Sequence, residues 1–148
     1  MHNSSEVEIL LVEDNPDDME MTLRALRKAN LANRILVARD GVEALEFIFC
    51  EGPHADRKIE NSPKVVLLDL NLPKLDGMQV LRRMKGDPRT KTIPVVMLTS
   101  SREQKDMIES HNLGVNSYIV KPVNFEGFAA AMRDLGMYWL LLNQPLKP

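Results

Sequence analysis

Charged and hydroxyl side chains stand at the ends of four short aliphatic runs of the sequence. Glu13 and Asp14 follow the first run, Asp69 and Thr99 follow two later runs, and Lys121 follows the last. If these runs are parallel strands, their carboxyl ends meet at one edge of a sheet, where open α/β sheets bind ligands. We therefore expect three carboxylates, a hydroxyl and an ammonium to converge there.

These residue types support a specific chemistry. Three carboxylates held together repel one another, and a divalent cation such as Mg²⁺, which prefers oxygen ligands, removes that conflict. A strand-end carboxylate can act as a nucleophile and form an aspartyl phosphate. The cation, the ammonium and the hydroxyl would then neutralise charge on the phosphoryl oxygens. Taken singly, Glu13-Asp14 also fits a helix start, Thr99 a helix cap and Lys121-Pro122 a turn, but their common position favours a site.

Five strand–helix units position these residues. The central strands are unbroken aliphatic runs, which is typical of strands buried on both faces in a parallel sheet. The alternation predicts a three-layer, doubly wound (βα)5 sandwich with a five-stranded parallel sheet. The predicted strands are Glu8–Val12, Ile35–Ala38, Val65–Leu68, Val95–Leu98 and Ser117–Val120.

Each strand precedes a helical pattern. The last of these patterns predicts one long closing helix over Phe125–Leu142 with Asn124 as its N-cap. The polar segment Glu51–Pro63, with prolines at both ends, predicts a long loop. The remaining predicted helices begin near Asp17 and Val42 and span Met78–Met84 and Arg102–Asn112.

Length and composition exclude several classes of protein. The chain has 148 residues, 44% hydrophobic and 27% charged, with a formal net charge of -2. These values predict one globular domain over residues 1–148, with a core from about 7 to 142 and no output domain. Near-neutral charge argues against nucleic-acid binding, and no apolar run is long enough for a bilayer. One cysteine, Cys50, is consistent with a cytoplasmic location.

Longer motifs around these residues resemble a known family, the receiver domains of bacterial two-component response regulators, which have the CheY-like flavodoxin-type fold. The resemblance covers about Glu8 to Trp139. The motifs are Leu10–Asn15, Asp40–Leu45, Val66–Gly77, Pro94–Ser100 and Gly114–Pro122.

The resemblance implies a role for each site residue. Asp69 matches the phosphoacceptor, and Mg²⁺, or Mn²⁺ in its place, would be held by Asp69 with Asp14 directly and Glu13 through water. The backbone carbonyl of Asn71 would complete the protein ligands. Thr99 matches the hydroxyl that bonds the phosphoryl group.

Three more residues take their expected roles from the family. Lys121 matches the lysine that pairs with the phosphoryl group, and the bond before Pro122 is expected to be cis. Tyr118 matches the aromatic residue that turns inward when Thr99 moves; the alternative is a half-buried strand aromatic without a switching role. Phosphorylation would shift populations between two states that the domain already samples.

The motifs also resemble stand-alone receivers that partner bacterial phytochrome kinases, through the Asp-Leu-Asn-Leu-Pro stretch, the 51–63 loop and the sequence around Tyr138-Trp139. This resemblance implies a light-regulated sensor histidine kinase of the phytochrome type as phosphoryl donor. Phosphorylation would switch a surface that docks on a downstream partner protein.

Apolar residues of the closing helix exceed what one core-facing side needs. Their heptad-like spacing predicts a homodimer surface, against the alternative of simple docking on the sheet with a frayed tail. The surface residues are predicted to be Met132, Leu135, Tyr138, Trp139 and Leu142.

Two other functions use some of the same residues. A haloacid-dehalogenase-type phosphatase also uses a strand-end aspartate with Mg²⁺, but Asn71 stands where its general acid is needed and Glu13-Asp14 precede the nucleophile. A receiver-shaped module that is never phosphorylated would not need Glu13, Asp14, Asp69, Thr99 and Lys121 together. We therefore expect a phosphoacceptor and not a turnover enzyme.

Overall fold

A single parallel sheet forms the centre of the protein. The computed structural model describes residues 7–31 and 34–141. The strands are β1 (Ile9–Val12), β2 (Ile35–Ala38), β3 (Val65–Asp69), β4 (Val95–Thr99) and β5 (Ser117–Val120). They lie in the order β2-β1-β3-β4-β5, and every neighbouring pair is parallel. This is the doubly wound arrangement that the sequence predicts.

Helices cover both faces of the sheet. They are α1 (Pro16–Lys28), α2 (Gly41–Ile48), α3 (Gly77–Lys85), α4 (Arg102–Ser110), α5 (Phe125–Asp134) and α6 (Tyr138–Leu141). Alternate side chains of β1 enter two separate cores. Leu10 and Val12 pack with α2 and α3, whereas Ile9 and Leu11 pack with α1 and α5. Burial on both faces explains why the strands are aliphatic throughout.

Side-chain caps fix where five helices begin, next to the carboxyl edge of the sheet. In each case a side-chain oxygen accepts a hydrogen bond from a backbone N–H of the first turn. Asp76 and Gln79 form a reciprocal capping box at the start of α3. The capping residues are Asn15, Asp40, Asp76, Ser101 and the predicted Asn124.

The prediction of one long closing helix is wrong, because the chain turns at Gly136. This residue has a φ of 72°, a left-handed conformation that glycine adopts readily. The N–H of Met137 donates to the carbonyl of Met132 at 2.8 Å, and the N–H of Gly136 donates to that of Arg133 at 3.0 Å. These two bonds form a Schellman motif, which ends α5 and lets α6 start in a new direction.

The predicted dimer surface is wrong for one of its residues. Met132 is completely buried in the core between the sheet and α5, so it cannot contact a second copy of the chain. Leu135 and Tyr138 are half-buried against the same core. The side chain of Trp139 and all of Leu142 lie outside the described residues, and the homodimer stays a prediction.

The segment 51–63 is largely the predicted loop, with one 3-10 turn at Gly52–His54. Arg57 anchors it, because its guanidinium lies 3.7 Å from the ring centre of Phe47 and donates to the backbone carbonyls of Phe47 and Asn61. The loop is therefore packed on α2. Among the described residues, no helix combines the length and the apolar character that a membrane crossing requires.

Candidate functional site

Three carboxylates meet at the carboxyl edge of the sheet, as the sequence predicts. Glu13 and Asp14 directly follow β1, and Asp69 ends the adjacent strand β3. One carboxylate oxygen from each of the three lies within 4.8 Å of the others. Glu13 is completely buried and Asp69 is 4% exposed, whereas Asp14 faces solvent. Glu13 and Asp69 are thus shielded from water, and the cluster is open to solvent on the side of Asp14.

Lys121 reaches this cluster from the end of β5. Its Nζ lies 3.0 Å from Glu13 Oε1, 3.1 Å from Asp69 Oδ1 and 2.9 Å from Asp18 Oδ2. The backbone N–H of Lys121 donates to the carbonyl of Thr99 at 2.7 Å, which fixes the lysine beside the end of β4. The peptide bond between Lys121 and Pro122 is cis, in agreement with the expectation.

One ammonium does not balance the charge of this cluster. Burial and the neighbouring Asp69 carboxylate raise the pKa of Glu13 to about 7, although Lys121 acts in the opposite direction. Burial alone would lower the pKa of Lys121, but its bonds to Asp18 and Glu13 and the charge of Asp69 raise it well above its usual range. The protein therefore holds a surplus of negative charge against a single cation.

A divalent cation fits this surplus. Burial is the largest cause of the raised pKa of Glu13 and the Asp69 carboxylate adds to it, and bound positive charge would oppose both. The donor set is all oxygen, as Mg²⁺ and Mn²⁺ prefer. A cleft of about 270 Å³ opens over the carboxylates and gives access from solvent. The cleft is lined by Asp14, Asn15, Asp18, Asp69, Asn71, Ser100 and Lys121.

Thr99 lies beside this cleft with an unused hydroxyl. The residue is completely buried at the end of β4, and its Oγ1 has no hydrogen-bond partner among the described residues. By contrast, the hydroxyl of the equally buried Thr90 donates to the carbonyl of Met84 at 2.7 Å. An orphaned buried hydroxyl costs stability, so its presence at this position calls for an explanation.

Tyr118 lies away from the cleft, in the middle of β5. Its ring is half-buried against the core beneath α4, and the Nζ of Lys105 is 5.6 Å from the ring centre. Burial, together with the charge of Glu109, raises the pKa of its hydroxyl. Tyr118 and Thr99 are on adjacent strands, since Tyr118 pairs with Met97 and Thr99 with Val120. The structure thus places Tyr118 next to β4 without a hydrogen bond to the Thr99 hydroxyl, and its switching role stays a prediction.

Sequence reasoning missed Asp18. It stands in the first turn of α1, where acidic residues are common because they favour the positive end of the helix dipole. Only the packing of α1 beside the end of β5 shows that its carboxylate contacts Lys121, which is 103 positions further along the chain.

The fold and the site together define a doubly wound α/β domain with a cluster of carboxylates and a lysine at the carboxyl edge of its sheet. The chain belongs to the family described as the response regulator receiver domain, whose family model matches residues 9–133. This assignment confirms the predicted resemblance.

Individual relatives agree with the family. The chain is 38% identical to response regulator Rcp1 of Synechocystis sp. over 134 residues, covering 89% of this chain and 88% of that protein. The structure of the bacteriophytochrome response regulator AtBRR is 54% identical, with a TM-score of 0.82 over 92% of this chain and 96% of that one. The Mn²⁺-bound form of Rcp1 is 35% identical, with a TM-score of 0.69 over 95% and 97% of the two chains.

Proposed function

We propose that this response regulator accepts a phosphoryl group on Asp69 from a phosphohistidine of a sensor histidine kinase. The observation that carries the proposal is the position of Lys121 Nζ, 3.1 Å from Asp69 Oδ1, in an acidic cleft that is open to solvent on the side of Asp14. A nearly buried nucleophile, a fixed ammonium and an orphaned hydroxyl are together what phosphoryl transfer requires.

The residues of the site share the work of this transfer. A carboxylate oxygen of Asp69 bonds to phosphorus as the P–N bond of the phosphohistidine breaks, and the electron pair leaves with the imidazole nitrogen, which then takes up a proton. Lys121 holds Asp69 Oδ1 in place and offsets charge on the phosphoryl oxygens. The Thr99 hydroxyl would donate to one of those oxygens.

The divalent cation would be held by Asp14 and Asp69, by the backbone carbonyl of Asn71, and by Glu13 through water. When bound, it supplies positive charge that weakens repulsion between the carboxylates and the incoming phosphoryl group. Because Rcp1 was solved with Mn²⁺, that ion is a second candidate beside Mg²⁺.

A bacteriophytochrome is the kinase class that we propose as the phosphoryl donor. Support comes from the 54% identity to AtBRR, which is described as a bacteriophytochrome response regulator. We further propose that the protein catalyses only its own phosphotransfer and dephosphorylation, and that Tyr118 moves inward when Thr99 is drawn to the phosphoryl group.

The proposal is tested by incubation with acetyl phosphate and Mg²⁺, followed by measurement of the intact mass. We expect the wild-type protein to gain one labile phosphoryl group, and a chelator to prevent the gain. Asp69→Asn should gain none, because an amide oxygen cannot form the acyl phosphate. Failure of wild type with both acetyl phosphate and a phosphorylated bacteriophytochrome kinase would contradict the proposal and favour a module that is never phosphorylated.

Thr99→Val should separate stability from function. Valine has nearly the same shape as threonine and removes the orphaned hydroxyl, so we expect the free energy of unfolding to rise by about 1 kcal/mol. The same variant should bind the phosphoryl mimic BeF₃⁻ more weakly. Urea unfolding and BeF₃⁻ titration measure the two effects.

A matched control for this variant is Thr90→Val, which removes a hydroxyl that is hydrogen-bonded to Met84 at 2.7 Å. It should lower stability by about 1 kcal/mol and leave BeF₃⁻ binding unchanged. A loss of stability in Thr99→Val as large as that in Thr90→Val would show that the Thr99 hydroxyl does have a partner.

A further inference from the structure

Asp18 is held firmly at the mouth of the acidic cleft. Its backbone N–H donates to the side chain of the helix cap Asn15 at 2.9 Å, and its carbonyl accepts from the buried Thr22 hydroxyl at 2.9 Å. Both bonds pin the first turn of α1. The Asp18 carboxylate is therefore placed by the helix, 2.9 Å from Lys121 Nζ, and does not depend on a flexible loop.

Lys121 Nζ makes its hydrogen bond to the carboxylate of Asp18, at 2.9 Å. The carboxylates of Glu13 and Asp69 lie 3.0 Å and 3.1 Å from the same Nζ as ion pairs, and Glu13 Oε1 has no hydrogen-bond partner among the described residues. Three carboxylates thus surround one ammonium, so a phosphoryl oxygen on Asp69 gains a close contact with Lys121 at the expense of one of them.

The three partners differ in what their release costs. Glu13 is completely buried, so release would leave its charge without compensation in a dry environment. Asp69 is the residue that carries the phosphoryl group. The Asp18 side chain is 33% exposed, so water can solvate its carboxylate after release. The contact with Asp18 is thus the one that yields.

We propose that Asp18 is a positioning residue that competes with the phosphoryl group for Lys121. This competition rests on the proposed phosphorylation of Asp69. It would restrain that phosphorylation. In the unphosphorylated protein Asp18 occupies a donor of Lys121, and its negative charge at the cleft mouth opposes any incoming anion. Both effects lower the affinity of the site for a phosphoryl group.

The test compares BeF₃⁻ affinity at saturating Mg²⁺ in the wild-type protein and in Asp18→Asn. Asparagine keeps the shape and an acceptor oxygen but removes the charge. We expect the variant to bind BeF₃⁻ about five-fold more tightly, as for loss of a partly exposed charge contact. Asp18→Glu, which keeps the charge, should stay close to wild type.

Asp17→Asn is the matched control. Asp17 is exposed in the same turn of α1, so its variant changes the net charge and the helix dipole equally without touching Lys121. It should shift BeF₃⁻ affinity less than two-fold, well short of the expected change in Asp18→Asn. A separate Mg²⁺ titration of each variant shows whether a change lies in metal binding instead.

The outcomes distinguish this inference from the proposed function. If wild type and Asp18→Asn both fail to bind BeF₃⁻, the phosphoacceptor proposal fails. If wild type binds and Asp18→Asn binds equally or more weakly, competition for Lys121 is overturned. An equal gain in Asp17→Asn, or a gain explained by Mg²⁺ affinity, also overturns it.

Discussion

Replacing Lys121 by methionine is expected to lower the free energy of unfolding by about 3 kcal/mol at pH 8 and by much less at pH 5. The variant removes the cation that lies 3.0 Å from Glu13 and 3.1 Å from Asp69. Since Glu13 is completely buried and Asp69 nearly so, their charges would be left without a partner. Removing one member of a buried ion pair is among the most costly single substitutions.

The pH dependence follows from the direction of the Glu13 shift. The pKa of Glu13 is already raised from 4.5 to about 7 in the folded protein, so the folded state binds this proton more tightly than the unfolded chain does. Stability therefore falls as pH rises from 4.5 towards 7. Loss of Lys121 removes an influence that lowers this pKa, so the fall becomes deeper and continues above pH 7. At pH 5 protonated Glu13 needs no cation.

Urea unfolding at the two pH values, with and without Mg²⁺, measures this effect. Mg²⁺ should restore part of the lost stability at pH 8, because it supplies positive charge to the same carboxylates. Lys85→Met is the control, since the described partners of Lys85 Nζ are the carbonyls of Lys91 and Ile93 and the Asn116 amide oxygen. The decrease in the free energy of unfolding of Lys85→Met should not vary with pH or Mg²⁺. A pH-independent loss in Lys121→Met would contradict the carboxylate argument.

Gly77→Ala is expected to destabilise the protein by about 3 kcal/mol, the upper range for inserting one methyl group into a packed site. A Cβ at Gly77 would lie 2.3 Å from the backbone oxygen of Asp69 and 2.9 Å from the Cα of Leu70. Neither can retreat, because Asp69 belongs to a strand that is buried on both faces. Phosphoryl uptake should fall as well, since the strain falls on Asp69, the proposed phosphoacceptor.

Gly127→Ala provides the comparison for this variant. Both glycines are in the first turn of a helix, so both substitutions gain the helix propensity of alanine, up to about 1 kcal/mol. At Gly127 a Cβ would meet only the Asn124 side chain at 3.1 Å and Ile119 at 3.8 Å. Urea unfolding should show it within about 1 kcal/mol of wild type. Equal stability of the two variants would show that the start of α3 can move away from Asp69.

The position of the site could be predicted from sequence because the order of strands decides it. Once the aliphatic runs are taken as parallel strands, the residues that follow them must share one edge, and the structure brings Glu13, Asp14, Asp69 and Lys121 together there. Asp18 could not be found in this way. Its contact with Lys121 depends on how α1 packs near β5, and no local pattern encodes that packing.

The end of α5 was predicted wrongly for a different reason. The signal was local, since glycine followed by an apolar residue is the usual sequence of a Schellman motif, but the apolar spacing continued through it. The apolar spacing alone therefore predicted one helix, whereas α5 and α6 are separate helices on either side of Gly136. Met132, which the sequence analysis placed on the predicted dimer surface, lies before this turn and is buried against the sheet.

The contacts of Lys121 also bear on how the protein is made. One atom joins residues 13, 18, 69 and 121, so the ammonium arrives only when the last strand of the sheet has been synthesised. A nascent chain that has emerged as far as β4 already carries the acidic cluster, but its charges still lack their counter-ion. Because synthesis proceeds from the amino terminus, the Asp69 carboxylate is made well before Lys121. We therefore expect the proposed uptake of a phosphoryl group to require the complete sheet.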